Sequence, residues 1–188
     1  MDGKLANGVF LAGPRVFLRP VEDGDAELLY KWGNDPELRV LTGAVTPEPM
    51  PAIKERIGRL QSSPDRWWMI GLRESGRMIG ECGLLRIFWP WRTADVTMIL
   101  GERDAQGQGY ATEAAELVLE YAFASLGLHR LAIGVVGFNE RALHWWQKLG
   151  FRQEGVQRDG YYGDGRFSDF VMMSLLAPEY RATQRKPR

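Results

Sequence analysis

The sequence predicts a single mixed α/β domain, and three observations predict it. Its 188 residues suffice for one domain with a full core and are marginal for two. Strand patterns follow one another early and late in the chain, as antiparallel neighbours do. Between them lies a strand–helix–strand unit, which needs a crossover, so its two strands should run parallel.

Residues 1–12 read as a flexible lead-in, residues 13–180 as the domain and residues 181–188 (RATQRKPR) as a polar, frayed tail. Residues 15–20 (RVFLRP) alternate and form a first strand, ended by Pro20. Asp23 or Asp25 caps a helix carrying Leu28, Leu29 and Trp32 at helical spacing. Pro47, Pro49 and Pro51 turn the chain into a second helix, AIKERIGRLQ. Residues 66–72 (RWWMIGL) and 77–87 (RMIGECGLLRI) pair through the turn ESG, and residues 94–101 (ADVTMILG) form the next strand. A helix then runs to about Ser125, followed by a buried strand at 131–136 (LAIGVV). The next helix spans 139–149, with Asn139 as its N-cap and Gly150 as its stop. Two strands at 151–156 and 166–176 complete seven.

Composition excludes several classes of function. Lys plus Arg equals Asp plus Glu at 24 each, which argues against a general nucleic-acid binder. The single cysteine, Cys82, excludes an internal disulfide; it reads as a small buried side chain, and a cytoplasmic location is the simpler expectation. No apolar run is long enough to cross a membrane, and MDGKLANGVFLAG lacks the pattern of a signal peptide. With His129 and His144 as the only histidines, a zinc-type metal site is not expected.

The stretch QGQGYATEA, residues 106–114, puts two glycines at the start of a helix. Glycine weakens helices, so its place there asks for a reason. Ala111, Ala114, Ala115, Val118 and Ala122 form a small-residue stripe that lets the helix lie close on a sheet, while Glu113, Glu116 and Glu120 should face solvent. The helix start offers free N–H groups and partial positive charge, and Gly107 and Gly109 let a bulky anion reach the backbone. A pyrophosphate cradle and a ligand-free Gly-rich turn both satisfy this pattern. A P-loop does not, for want of GK[ST], nor does a dinucleotide fingerprint, since Thr112 holds its third glycine position and no acid follows LAIGVV.

QGQGYA, residues 106–111, matches the Q/R-x-x-G-x-G/A signature of the GNAT acetyltransferases, and the chain is identified as resembling that family. FLRPVEDGDAELLYKWGNDPEL is similar to its opening strand and helix. ADVTMILGERDAQGQGYATEA resembles its fourth strand and pyrophosphate loop, FNERALHWWQKLGFRQEG its N-x-x-S/A…K-x-G-F-x-x-E-G segment, and YYGDGRFSDFVMMSLL its close. The similarity points to the branch holding ribosomal-protein N-terminal, spermidine, amino-sugar and antibiotic acetyltransferases.

The resemblance implies a mostly antiparallel seven-stranded mixed sheet with helices on both faces and a splayed parallel pair of central strands. It implies acetyl-CoA as acyl donor, with no metal. The pantetheine arm would bond to Met98, Ile99 and Leu100. The pyrophosphate would sit on Gln106, Gly107, Gln108, Gly109, Tyr110 and Ala111, with Thr112 nearby. Asn139 corresponds to an asparagine that contacts pantetheine, and a plain helix cap is its alternative role.

The acceptor amine must lose a proton before attack. Asp95 stands where the family often places a glutamate, to act through a water or to hold the amine's charge; otherwise it is an exposed residue opposite a basic neighbour. Glu81 is the second candidate, pointing into the cleft or, by alternation, to solvent. Trp146 stands where many relatives carry a tyrosine that protonates the leaving thiolate. Indole cannot do this near neutral pH, so Trp146 is expected to wall the thioester channel or to join the core.

Trp67 and Trp68 suit a core, whereas Phe88, Trp89 and Trp91 around Pro90 suit a site wall or an interface. A subunit contact that also uses Met172 and Met173 would make a homodimer. The function implied is transfer of acetyl from acetyl-CoA to a primary amine by direct attack, the amine being a protein N-terminus or a small molecule such as a polyamine, amino sugar or antibiotic. The alternative is a GNAT fold that holds acyl-CoA without turnover. Neither nucleic acid nor membrane is an expected partner.

Overall fold

The computed structural model describes residues 8–184. Residues 1–7 of the expected lead-in and 185–188 of the expected tail lie outside the described residues.

The chain runs β1 (Leu11–Ala12), β2 (Val16–Pro20), α1 (Ala26–Gly33), α2 (Pro36–Thr42), α3 (Met50–Ser62), β3 (Arg66–Leu72), β4 (Met78–Phe88), β5 (Thr93–Leu100) and α4 (Tyr110–Glu120). A wider π-helical turn, Tyr121–Ser125, leads on to β6 (Arg130–Val136), α5 (Glu140–Lys148), β7 (Arg152–Gly163), β8 (Arg166–Leu176) and α6 (Ala177–Gln184). All strands join one sheet in the order β1-β2-β3-β4-β5-β6-β8-β7. Among the described residues, only β5 and β6 pair in parallel.

The sheet therefore has eight strands, not seven. The extra one, β1, is two residues long, too short for alternation to mark it, and is tied to β2 by Phe10 N–H donating to Leu18 O and Gly13 N–H to Val16 O. Two helices had no counterpart in the sequence reading. One is α2, whose Asp35 caps Glu37 N and Leu38 N, with Pro36 at its first position and Gly43 left-handed at its end. The other is α6, into which residues 181–184 of the expected tail continue. Strand β7 also outruns its expected end, because its polar sequence and two bulges hide the alternation.

Alternation along the strands divides the core in two. Val16, Leu18, Trp68, Ile70, Cys82, Leu84, Val96 and Leu131 face α4, whose Ala114, Ala115, Val118 and Ala122 are buried as the small-residue stripe requires. On the other face, Met69 and Trp67 meet Leu29 and Trp32 of α1, Leu38 of α2, and Ile53 and Ile57 of α3.

Candidate active site

The parallel pairing is short. Thr93, Ala94 and Asp95 pair with Arg130, Leu131 and Ala132, and there it ends. Beyond that point Met98, Ile99 and Leu100 remain paired with Cys82, Glu81 and Gly80 of β4, but their other edge has no strand partner. Such an edge is open to an extended ligand that bonds like a further strand.

After β5 the chain turns into the glycine loop. Gln106 closes it by donating Nε2 to the Leu100 carbonyl at 3.2 Å. Gly107 and Gly109 hold φ of +75° and +83°, left-handed values that favour glycine. A Cβ on Gly107 would meet nothing within 4 Å, so the space above it is open. Gly109 is the N-cap of α4 and supplies no side-chain cap. The first-turn N–H groups of Tyr110, Ala111 and Thr112, together with the helix dipole, thus favour an anion. This loop fits a pyrophosphate.

Two arginines flank the loop, and sequence reasoning missed both. Arg15, at the entry to β2, donates Nη1 to the Gln108 carbonyl at 3.0 Å and stacks 4.9 Å over the Tyr110 ring. Arg141 of α5 reaches Gln106 Oε1 at 3.5 Å. Neither has a sequence signal, since each arrives from an element distant in the chain.

Glu113 departs from the solvated role expected of it. Its carboxylate accepts from Arg15 N at 2.6 Å and Val16 N at 2.9 Å, and pairs with Arg15 Nε at 2.9 Å. Burial pushes its carboxyl up, but these N–H groups and the guanidinium outweigh it and hold the group below the usual carboxylate range. Glu120 is exposed, as expected, and accepts from the Tyr180 hydroxyl at 2.8 Å. Thr112 accepts from Trp145 Nε1 at 3.0 Å, which joins α4 to α5 beside the loop.

Asp95 is the last paired residue before the strands part. A bulge in β4 holds Arg86 at φ +49° and brings its Nε to 2.6 Å from Asp95 Oδ2. Asp95 is partly accessible and Arg86 largely exposed, so this is a solvent-screened pair. Glu81 lies opposite Ile99 on β4 and is 3% exposed, pointing neither to solvent nor into open space. Trp67 Nε1 donates to it at 2.7 Å and the Arg56 guanidinium stands 4.0 Å away. Burial raises its pKa, with Arg56 and Trp67 opposing. Asp95 and Ile99 are four residues apart on β5, about 13 Å, so the two carboxylates are not brought together.

Asn139 caps α5 through Ala142 N at 3.1 Å and donates Nδ2 to the Leu41 carbonyl at 3.0 Å, so both ends of its amide are engaged. Trp146 is buried, with ring centroids 4.6 Å from Trp145 and 4.8 Å from Phe151. Trp68 is core, whereas Phe88, Trp89 and Trp91 are exposed. Burial raises the Cys82 thiol pKa, which leaves it a packing residue. Among the described residues, no helix is long and apolar enough to cross a membrane.

A parallel pair that ends early and leads to a glycine-lined helix start suits an acyl-CoA-dependent transferase. Residues 15–152 match the acetyltransferase (GNAT) domain family, and the chain belongs to that family. It is 30% identical over 171 residues to the uncharacterized N-acetyltransferase p20 of Bacillus licheniformis, covering 88% of this chain and 95% of that one. It is 32% identical over 112 residues to the spermidine N(1)-acetyltransferase of Escherichia coli K12, covering 60% of each. In fold it resembles the spermidine N-acetyltransferase of Vibrio cholerae crystallised with CoA and spermine, with a TM-score of 0.84, 24% identity, and coverage of 90% of this chain and 99% of that one. The chain is an acetyl-CoA-dependent N-acetyltransferase, and the reading as a binding module without turnover finds no support.

Proposed function

We propose that the acceptor is a small primary amine of the polyamine kind, deprotonated and steered at Asp95. The observation that carries this is the position of Asp95: a partly accessible carboxylate at the point where β5 and β6 part, paired directly with the exposed Arg86 and feeling the charge of Arg130 beside it. A cationic amine can displace Arg86 and take its place against the carboxylate. The naming of a relative for spermidine agrees with an acceptor of this charge.

When bound, acetyl-CoA supplies an acetyl thioester. The first turn of α4 and the loop from Gln106 to Thr112 would hold its phosphates, and the free edge of Met98–Leu100 would align its arm. Asp95 receives one proton of the ammonium, directly or through a water, so that the nitrogen can form its bond to the acetyl carbon as the carbon–sulfur bond breaks; the second proton then leaves the nitrogen to solvent or to the departed thiolate. Trp146 has no acid proton to give, and the thiolate leaves without one from this position.

The test is incubation with acetyl-CoA and an amine panel (spermidine, spermine, amino sugars and N-terminal peptides), with products read by mass. Acetylated polyamine is expected. Acetylation of peptides alone would overturn the proposal.

A further inference from the structure

We propose a second ligand site, at the opposite end of β5 from the glycine loop, for a small molecule that joins a planar ring to an anionic group. A cavity of about 480 Å³ opens there, and its lining includes Trp91, Arg92, Leu128, His129, Ala177 and Arg181. That size is in the range of small-molecule sites. The length of β5, eight residues, separates it from the phosphate loop by about 25 Å.

Three chain segments are fixed around the cavity by their backbones. The Arg92 carbonyl accepts from His129 N at 2.7 Å and Arg130 N at 3.3 Å, and the His129 carbonyl accepts from Ala177 N at 2.8 Å. Leu128 and Ala177 are buried and give it an apolar floor.

Its charge is one-sided. Arg92 and Arg181 bring positive charge to the lining, His129 adds a ring N–H or lone pair, and no carboxylate lines the cavity. The acids on neighbouring elements are engaged elsewhere: Asp95 with Arg86, Glu154 with Arg130, and Glu179 with Arg152. Trp91 is 74% exposed and offers a flat surface on which a ring can stack.

The backbone fixes where Arg92 stands. Its φ is +51°, left-handed backbone that strains any residue with a Cβ and suits glycine. The short 3-10 turn Trp89–Trp91 ends in that conformation, with Arg92 N–H donating to the Trp89 carbonyl at 3.1 Å, and the side chain it projects lines the cavity without an acidic partner, as a guanidinium that meets an anion would. Two sources fit the chemistry, a nucleoside monophosphate and an aromatic carboxylate.

The test is calorimetric titration of the full chain, saturated with CoA so that the cofactor site is closed to competing nucleotides. The probes are AMP, adenosine, inorganic phosphate and benzoate. AMP or benzoate should bind, and whichever binds names the anionic group. Adenosine and phosphate alone should bind at least about tenfold more weakly than AMP, since each keeps half of the contacts. Arg92→Gly relieves the strained backbone and so should fold at least as well as the parent. It should lower affinity about tenfold or more while acetyl transfer is unchanged, and Trp91→Ala should weaken binding of the same probe. Absence of binding by both AMP and benzoate, or equal affinity in Arg92→Gly, would overturn the proposal.

Discussion

Arg15 Nε lies 2.9 Å from Glu113 Oε2, joining the entry of β2 to the first turn of α4 across 98 residues of sequence. The pair carries the glycine loop with it, because the same guanidinium holds the Gln108 carbonyl. Arg15→Ala should weaken acetyl-CoA binding about tenfold, the scale of one hydrogen bond involving a charged group, and Arg15→Lys should restore part of it. Calorimetry with acetyl-CoA reads both; unchanged affinity in Arg15→Ala would separate this residue from the cofactor. Glu113→Ala strands two backbone N–H groups and should cost about 1–3 kcal/mol in chemical denaturation.

Gly109→Glu should abolish acetyl-CoA binding. The position has φ +83°, its Cβ would lie 3.2 Å from Arg15 Nη2, and a carboxylate there would occupy and repel the phosphate position. Circular dichroism checks the fold and calorimetry the affinity. A folded variant with parental affinity would contradict the loop assignment.

Trp146→Phe should keep most of the rate, because it preserves an aromatic ring in the core and removes no acid. Trp146→Ala should destabilise by about 3–5 kcal/mol. A Trp146→Phe enzyme that folds and binds acetyl-CoA normally, yet loses about a hundredfold in turnover, would give the indole a direct catalytic contact.

Asp95→Asn should leave stability within about 1 kcal/mol, since its partner is a solvent-screened arginine. Turnover should fall about a hundredfold for an amine of pKa near 10, and less for one near 8. Equal loss across amines would remove proton acceptance from its role.

Glu81 predicts a pH dependence of stability. Burial raises its folded-state pKa above the unfolded value of about 4.3. The contribution is therefore full below the unfolded pKa and is lost as pH rises through the folded one. The groups around the carboxylate are Trp67, Arg56 and, behind Arg56 at 3.4 Å, Glu48. Glu81→Gln keeps an acceptor for Trp67 and removes the titration, so its melting temperature should gain on the parent as pH is raised from about 4 to about 8. A difference that shrinks with pH would contradict the raised pKa.

What the sequence discloses here depends on how local each signal is. The glycine loop is legible because its conformational need is written in adjacent residues, and the strands on either side because alternation survives in one-dimensional order. Asp35, Pro36 and Gly43 carried the signals for α2 and went unread. Other features had nothing to read. Arg15 and Glu113 meet only once β2 lies beside α4. The burial of Glu81 depends on Trp67 and Arg56 arriving from β3 and α3. Both ends of the Asn139 amide are engaged because α2 brings the Leu41 carbonyl to it.

The most direct test of the whole account is amine-dependent release of free thiol from acetyl-CoA by the purified chain, with the acetylated product identified by mass in the same reaction. The account predicts thiol release matched one for one by an acetylated small amine, lost in Gly109→Glu and reduced in Asp95→Asn. Tight acetyl-CoA binding with no amine-dependent thiol release across the panel would contradict it.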